Sequence, residues 1–484
     1  MDLDQPDVIA ESTVENWADT VDVVVIGCGI AGACAAAEAA AEGARVLVIE
    51  RSAVPGGTTM LAGGHFYLGG GTAVQQATGH HDSAEEMEKY IVAVSRDPDT
   101  EKIRSYCQDS VSHFDWLESL GFEFERSFYP EKAVIQPGTE GLMYTGNEKV
   151  WPFIDIAVPA PRGHKVPVAG DTGGAGMVID LLVKRLADLG VEVRTETGAR
   201  QLVTDESGRV VGVSWKRLSE SGFIRSGAVI IATGGFVMNE SMVAEFVPEL
   251  GEKPYTLGNT FDDGLGIRLG TSVGARVEHM DQAFVTAPLY PPATLITGLI
   301  VNKNGDRFVA EDSYHSRTSA FVMEQPNSAA YLIVDEAHME RPRVPLVKFI
   351  DGWESIPEME AALGIPTGRL EQTMSRYNAD AAQGQDPDFH KSAEWLSPQD
   401  TGPWAAFNLS LGEAFYAGFT MGGLSTSLNG EVVGVSGNVI EGLYAAGACA
   451  ANIAQDGKGY ASGTQLGEGS YFGRRAGRHA ASNR

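Results

Sequence analysis

Residues 21–50 constrain the fold more than any other stretch of the chain. Residues 21–32 read Val-Asp-Val-Val-Val-Ile-Gly-Cys-Gly-Ile-Ala-Gly, an alanine-rich run follows, and residues 44–50 read Ala-Arg-Val-Leu-Val-Ile-Glu. An apolar run bounded by glycines, a small-residue helix and a second apolar run ending in an acid spell one βαβ unit for a dinucleotide. Gly27 allows the tight turn, Gly29 lets the backbone approach a pyrophosphate, and Gly32 lets the helix pack closely on the sheet. The free N–H groups at the helix start suit the pyrophosphate. Glu50, ending the second strand, can accept hydrogen bonds from ribose hydroxyls.

The next segment favours a flavin over a nicotinamide. Residues 51–65 read Arg-Ser-Ala-Val-Pro-Gly-Gly-Thr-Thr-Met-Leu-Ala-Gly-Gly-His. A nicotinamide domain would usually continue there into another helix and strand, whereas a glycine-rich loop suits a long cofactor lying extended across a sheet edge. Two further strand–glycine elements stand far downstream, Gly-Ala-Val-Ile-Ile-Ala-Thr-Gly-Gly at 227–235 and Glu-Gly-Leu-Tyr-Ala-Ala-Gly at 441–447. Together they predict one FAD domain assembled from both chain ends.

Composition narrows the alternatives. A chain of 484 residues is too long for one hydrophobic core and predicts two or three domains. With 36 basic against 64 acidic residues, the net charge of −28 argues against nucleic acid and anionic membranes as partners. Cys28, Cys34, Cys107 and Cys449 show no metal or haem spacing, so no metal is expected, and a reducing, cytoplasmic location is. The acidic first twenty residues show no targeting signal. The longest apolar run, 283–301, is broken by Pro288, Pro291 and Pro292, so no transmembrane helix is expected.

Several motifs occur in one order: the Gly27 fingerprint, the 232–235 turn, Asp263-Gly264, Gly-Asp-Arg-Phe-Val-Ala-Glu at 305–311, Thr-Met-Gly-Gly at 420–423 and the 442–447 strand. In these the chain resembles the fumarate reductase/succinate dehydrogenase flavoprotein family over nearly its whole length. The resemblance implies an α/β fold: a Rossmann-like FAD-binding domain at 1–276 and 413–484, with an α+β cap domain inserted at 277–412 and substrate between cap and flavin. It carries the cofactor contacts onto Gly27, Gly29, Ile30, Ala31, Gly32, Glu50, Arg51, Gly57, Thr58, Thr59, Ala62, Gly63, Gly64, Thr233, Gly234, Asp263, Gly447, Gly463, Gln465 and Leu466. Leu202, within Gln-Leu-Val at 201–203, is expected to pass its backbone near the adenine.

Departures from the family pattern narrow the reaction. Members acting on dicarboxylates carry paired histidines where this chain has Gly418 and Phe419, and an arginine in the last glycine-rich segment, absent from 457–467. Covalent members attach flavin through a histidine in the early loop, where Thr58 and Thr59 stand, so non-covalent FAD is expected. Gly-Lys-Gly-Tyr-Ala-Ser-Gly-Thr-Gln-Leu-Gly at 457–467 resembles the flavin-proximal segment of the 3-ketosteroid dehydrogenases, with Ser462 as a variant feature. That likeness implies desaturation of a saturated 3-keto-5α-steroid to the 4-ene, with an external electron acceptor. Such chemistry needs a donor to the ketone oxygen, a base for the α proton and a hydride acceptor. Tyr460 is the expected donor, Ser462 the base, and Tyr314 the group that takes the serine proton. A Δ1-type steroid dehydrogenase, a soluble fumarate-type reductase and a non-catalytic flavin-binding redox sensor remain as alternatives.

Other candidates carry blander readings. His315 and Arg317, which a dicarboxylate enzyme would use, read as solvated. Tyr67 either borders the flavin or packs. The apolar stretch 284–300, with Leu289, Tyr290, Leu295, Ile296 and Leu299, either lines an apolar substrate pocket or builds core.

Overall fold

The computed structural model describes residues 5–133, 136–170, 173–251, 254–286, 292–342, 346–453 and 456–484. The fingerprint folds as its spacing requires. Strand Asp19–Ile26, helix Ile30–Ala41 and strand Val46–Ile49 follow in turn. The two strands pair in parallel, Val25 opposite Val48. Strand Glu220–Ile231 flanks the first strand on its other side, with Ile230 opposite Val25, and the late strand Val439–Ala445 lies beyond it, with Ile230 opposite Tyr444. These four parallel strands form the centre of a nine-stranded sheet. Their buried parts are apolar, Val23–Ile26, Val46–Ile49, Ala228–Ile231 and Leu443–Ala445, because both faces are covered. The register brings the strand ends at Ile26, Ile231 and Ala445 to one edge, where ligands of open α/β sheets bind.

The alanines of the first helix have a second purpose. The last helix, Thr464–Ser482, lies against it so closely that a Cβ on Gly473 would fall 2.3 Å from Ala31 O, and one on Gly477 2.1 Å from Ala35 O. Small residues on both helices therefore let the end of the chain return to the fingerprint and set residues 460–466 beside it.

A four-stranded antiparallel sheet is separate from the first. Its order is Leu299–Asn302, Ala330–Asp335, Trp404–Asn408 and Lys348–Trp353. Helices Ile356–Leu363 and Arg369–Ala381 cover it, and Met359, Leu370, Met374 and Tyr377 share a core with Leu299, Val301 and Ile333. The chain crosses between the two units on paired strands: Ala283–Thr286 runs antiparallel to Ala417–Thr420, and Val277–Glu278 to Gly423–Leu424. Arg307 of the 305–311 landmark is buried between Glu311 at 2.8 Å and Asp386 at 2.9 Å, an internal ion network holding the turn that presents Tyr314.

A helical segment that sequence reasoning passed over packs beneath the site. Helices Ala84–Val94 and Thr100–Ser119 bury Tyr90, Tyr106 and Phe114 in the main core. Arg162 and Asp82, both fully buried, form a 2.7 Å pair. Gly70 N and Gln75 Nε2 also donate to that carboxylate, offsetting its desolvation.

Among the described residues no helix is long and apolar enough to cross a membrane.

Candidate active site

A cavity of about 540 Å³ runs along the carboxyl edge of the large sheet and under the smaller unit. Of the residues expected to hold the cofactor, Gly27, Gly29, Ile30, Ala31, Glu50, Arg51, Gly57, Thr58, Thr59, Ala62, Gly63, Thr233, Gly234, Gly447, Gly463, Gln465 and Leu466 line it. Gly27 has φ +100°, and a Cβ there would meet Ala232 O at 2.3 Å, so the strand ends close up only around glycine.

Glu50 is buried, and its two oxygens accept from Cys28 N at 2.8 Å and Ser52 N at 2.7 Å. Burial raises its pKa while these backbone donors pull it down. Each carboxylate oxygen keeps a lone pair for a ribose hydroxyl. Arg51 is clamped by Asp263 at 2.6 Å and lies over the Phe261 ring at 4.5 Å. Thr59 Oγ1 accepts from Ile30 N at 3.1 Å, tying the early loop to the helix start. Thr58 donates to Asp262 and accepts from Asn259 N at 2.8 Å, so the loop is also tied to the 259–262 turn.

Four expected cofactor residues stand outside the cavity wall. Gly32 packs instead, its absent Cβ leaving room for Gly27 O at 2.1 Å. Gly64 lies against Val166 and Gly174. Asp263 is turned to Arg51 and to the start of the next helix, where Leu265 N donates to it at 3.1 Å. Leu202 is core, wholly buried among Val24, Leu47 and Val213; the wall is formed three to five residues earlier, by Thr197, Gly198 and Ala199. Asp262, which the sequence reading did not single out, lines the cavity where its neighbour Asp263 does not. Burial pushes its carboxyl up to about 6.

The three expected catalytic hydroxyls meet at one end. Tyr314 Oη donates to Ser462 Oγ at 2.6 Å. Tyr460 and Ser462 line the cavity, and Tyr314 stands behind the serine, 3% exposed. Both backbones are held by the same segment: Asn147 Oδ1 accepts from Tyr314 N at 2.8 Å, and Thr145 O from Ser462 N at 2.8 Å. Nothing in the local sequence of 145–147 signals that task, because both partners are distant in the chain. Tyr460 Oη accepts from Gln465 N at 3.4 Å, which leaves its own proton to be given. Burial pushes its pKa well up, so it stays a donor. Phe284, at 4.7 Å from the Tyr460 ring, and Phe419, at 5.6 Å, make this end apolar together with Leu257.

The secondary candidates sort themselves. His315 is buried, against the expectation of a solvated side chain, because it opens helix His315–Met323 beneath the cavity. Its Nδ1 bonds Thr286 Oγ1, and burial with the nearby Lys132 charge lowers its pKa to about 3, so the ring is neutral. Arg317 lies over Phe153 and Phe321, each at 5.1 Å. Tyr67 packs, wholly enclosed, with its hydroxyl on Glu148 Oε1 at 3.0 Å. Phe284 reaches the cavity, whereas Leu295, Ile296 and Leu299 are core; Leu289 and Tyr290 lie outside the described residues.

A glycine cradle at three strand ends, a ribose-facing acid and the amino end of helix Thr464–Ser482 at the cavity fit an extended dinucleotide flavin. The 3-oxo-5-alpha-steroid 4-dehydrogenase of Comamonas testosteroni is 29% identical over 89% of this chain and 93% of its own. Vinyl phenol reductase of Lactiplantibacillus plantarum is 27% identical over 96% and 97%. The crystal structure of 3-ketosteroid-Δ4-(5α)-dehydrogenase from Rhodococcus jostii RHA1 in complex with 4-androstene-3,17-dione is 40% identical, with a TM-score of 0.93 over 98% of this chain and 99% of that one. The family described as the FAD binding domain matches residues 22–466, and the chain belongs to that family of flavoproteins.

Proposed function

We propose that this protein is an FAD-dependent desaturase of saturated 3-keto-5α-steroids that forms the C4–C5 double bond. The observation that carries the reading is the 2.6 Å Tyr314–Ser462 hydrogen bond at the apolar end of the cavity, facing Tyr460. The likeness to the Comamonas and Rhodococcus steroid dehydrogenases supports it. So does the charge of the wall: among the described lining residues Arg51 is the one cation of fixed charge, and Asp263 holds it. Two substrate carboxylates would lack the charge-assisted bonds that offset their desolvation.

Bound FAD supplies the hydride acceptor. The chain's own residues do the rest. Phe284, Phe419 and Leu257 exclude water around the ketone end of the substrate. Tyr460 donates to the carbonyl oxygen and steadies the charge that grows there as the α proton leaves. Ser462 takes the proton from C4, with Tyr314 holding the serine oxygen in place and sharing the proton load. Loss of the proton from one face of the steroid and of the hydride from the other would place Ser462 across the substrate from bound flavin.

We further propose that FAD is held without a covalent link, because Thr58 and Thr59 occupy the early loop, and that electrons pass on to an external acceptor. A reducing, cytoplasmic setting agrees with four free, buried cysteines. Turnover of a 5α-3-ketosteroid with an artificial acceptor, followed by product identification, tests the reading. A 4-ene-3-ketone supports it. A 1-ene product, or turnover of succinate in place of steroid, overturns it.

A further inference from the structure

Tyr314 and Ser462 together carry two hydroxyl protons, and a serine that is to accept a third must first lose one from the pair. Tyr314 has no direct path to solvent at 3% exposure. The segments flanking it are unusual in polar content: Thr145 Oγ1, Asp312 Oδ1, Ser313 Oγ and His315 Nε2 are all buried and have no protein partner among the described residues. Buried polar atoms of this kind are ordinarily satisfied by ordered water. Lys132 packs against the same turn. Its side chain is half-buried, its ammonium end is enclosed, and Nζ donates to Asp312 O, two residues before Tyr314.

We propose that Lys132 is the proton exit of the Ser462–Tyr314 pair, joined to Tyr314 by water held on these polar atoms. The inference rests on the desaturase reading above and makes Lys132 a positioning residue that acts through Tyr314. The neutral Lys132 amine takes one proton from the pair and becomes ammonium. Tyr314 goes on donating to Ser462 Oγ, which now has a lone pair for the C4 proton. Accepting that proton restores the pair, and the ammonium releases its proton to bulk water.

Among the described residues, the groups facing Lys132 include Asp312, Glu148 and Glu394, which favour its charge, Lys149, which opposes it, and the neutral His315 ring. Burial outweighs the acids and brings the amine down to about 8. A base of this kind makes the rate of flavin reduction rise with pH and level off above that value.

The test is anaerobic stopped-flow bleaching of the holoenzyme by a 5α-3-ketosteroid across pH, in wild type, Lys132→Met and Lys132→Arg. In wild type the rate climbs through an inflection near pH 8 to a plateau above it. Both variants lose that inflection and bleach at least about tenfold more slowly at the plateau, with ketone affinity retained. An added alkylamine restores part of the rate in Lys132→Ala. A variant that keeps the inflection, or a Lys132→Met enzyme at wild-type rate, overturns the proposal. A second measurement needs no substrate: the ¹³C-dimethyl-lysine NMR signal lost in Lys132→Arg titrates near 8, and titration above 10 overturns the proposal by itself. If no ketone bleaches the wild type, the desaturase reading fails and this titration alone decides the placement of Lys132.

Discussion

The Tyr314 hydroxyl donates to Ser462 Oγ at 2.6 Å across 148 residues of chain. The tyrosine follows the 305–311 landmark of the smaller unit, and the serine lies just before the last helix of the sheet-bearing unit. A third segment, 145–147, fixes both backbones. The proposed base pair is therefore assembled only where the two units and this segment meet.

Removing the hydroxyls separates their roles. Ser462→Ala abolishes proton removal while FAD and ketone binding stay nearly intact, because Tyr460 remains at the carbonyl. Tyr460→Phe lowers the rate of flavin reduction ~10²–10³-fold, the scale for a lost oxyanion donor. Tyr314→Phe is slow as well, and hardest to rescue at low pH. Single-turnover reduction rates beside equilibrium binding of a 4-ene product check the split; parallel losses of binding and rate would contradict it.

Acid precipitation releases all yellow colour into the supernatant, since the early loop offers Thr58 and Thr59 where a covalent link would need a histidine. Flavin absorbance remaining with the pellet contradicts a non-covalent cofactor.

Gly32→Val loses the cofactor although Gly32 touches no part of the cavity. Its Cβ would stand 2.1 Å from Gly27 O, and the helix must move off the sheet. The readout is the flavin-to-protein absorbance ratio after purification, expected well below that of the wild type, with a lower Tm. A wild-type ratio would contradict the packing role.

Asp262 makes the apoprotein sensitive to pH. Its carboxyl is pushed up to about 6 by burial, from an ordinary 3.8. A carboxyl raised in the folded state opposes folding once ionised, so the penalty is absent below the unfolded pKa and complete above the folded one. Asp262→Asn, which keeps an acceptor for Thr58, raises the apoprotein Tm at pH 8, and the gain fades as pH falls through 6 toward 4. An equal gain at pH 4 and 8 would assign the effect to packing.

The parallel core was legible because its signals are local and periodic: Val23, Val24 and Val25, the Gly27 turn and Glu50 lie within one βαβ unit. The late strand at Val439–Ala445 was legible for the same reason. Single contacts were less so. Asp262 and Asp263 are adjacent, and only the direction of each side chain, set by the turn and by Arg51, decides which faces the cavity. Leu202 and Ala199 lie on one strand whose register shifts between Ala199 and Gln201, an irregularity composition does not announce. The burial of His315 is not legible in its own segment because it depends on Phe284 and Thr286, which arrive from the crossing strand.

The most direct test of the account mixes oxidised wild type and Ser462→Ala anaerobically with a saturating 5α-3-ketosteroid, and wild type with succinate, while the flavin band is followed. Wild type bleaches with the ketone in a single turnover that yields a 4-ene-3-ketone, and succinate leaves the band unchanged. Ser462→Ala binds the ketone and keeps its colour. Bleaching of Ser462→Ala at the wild-type rate, or of wild type by succinate alone, would contradict the account.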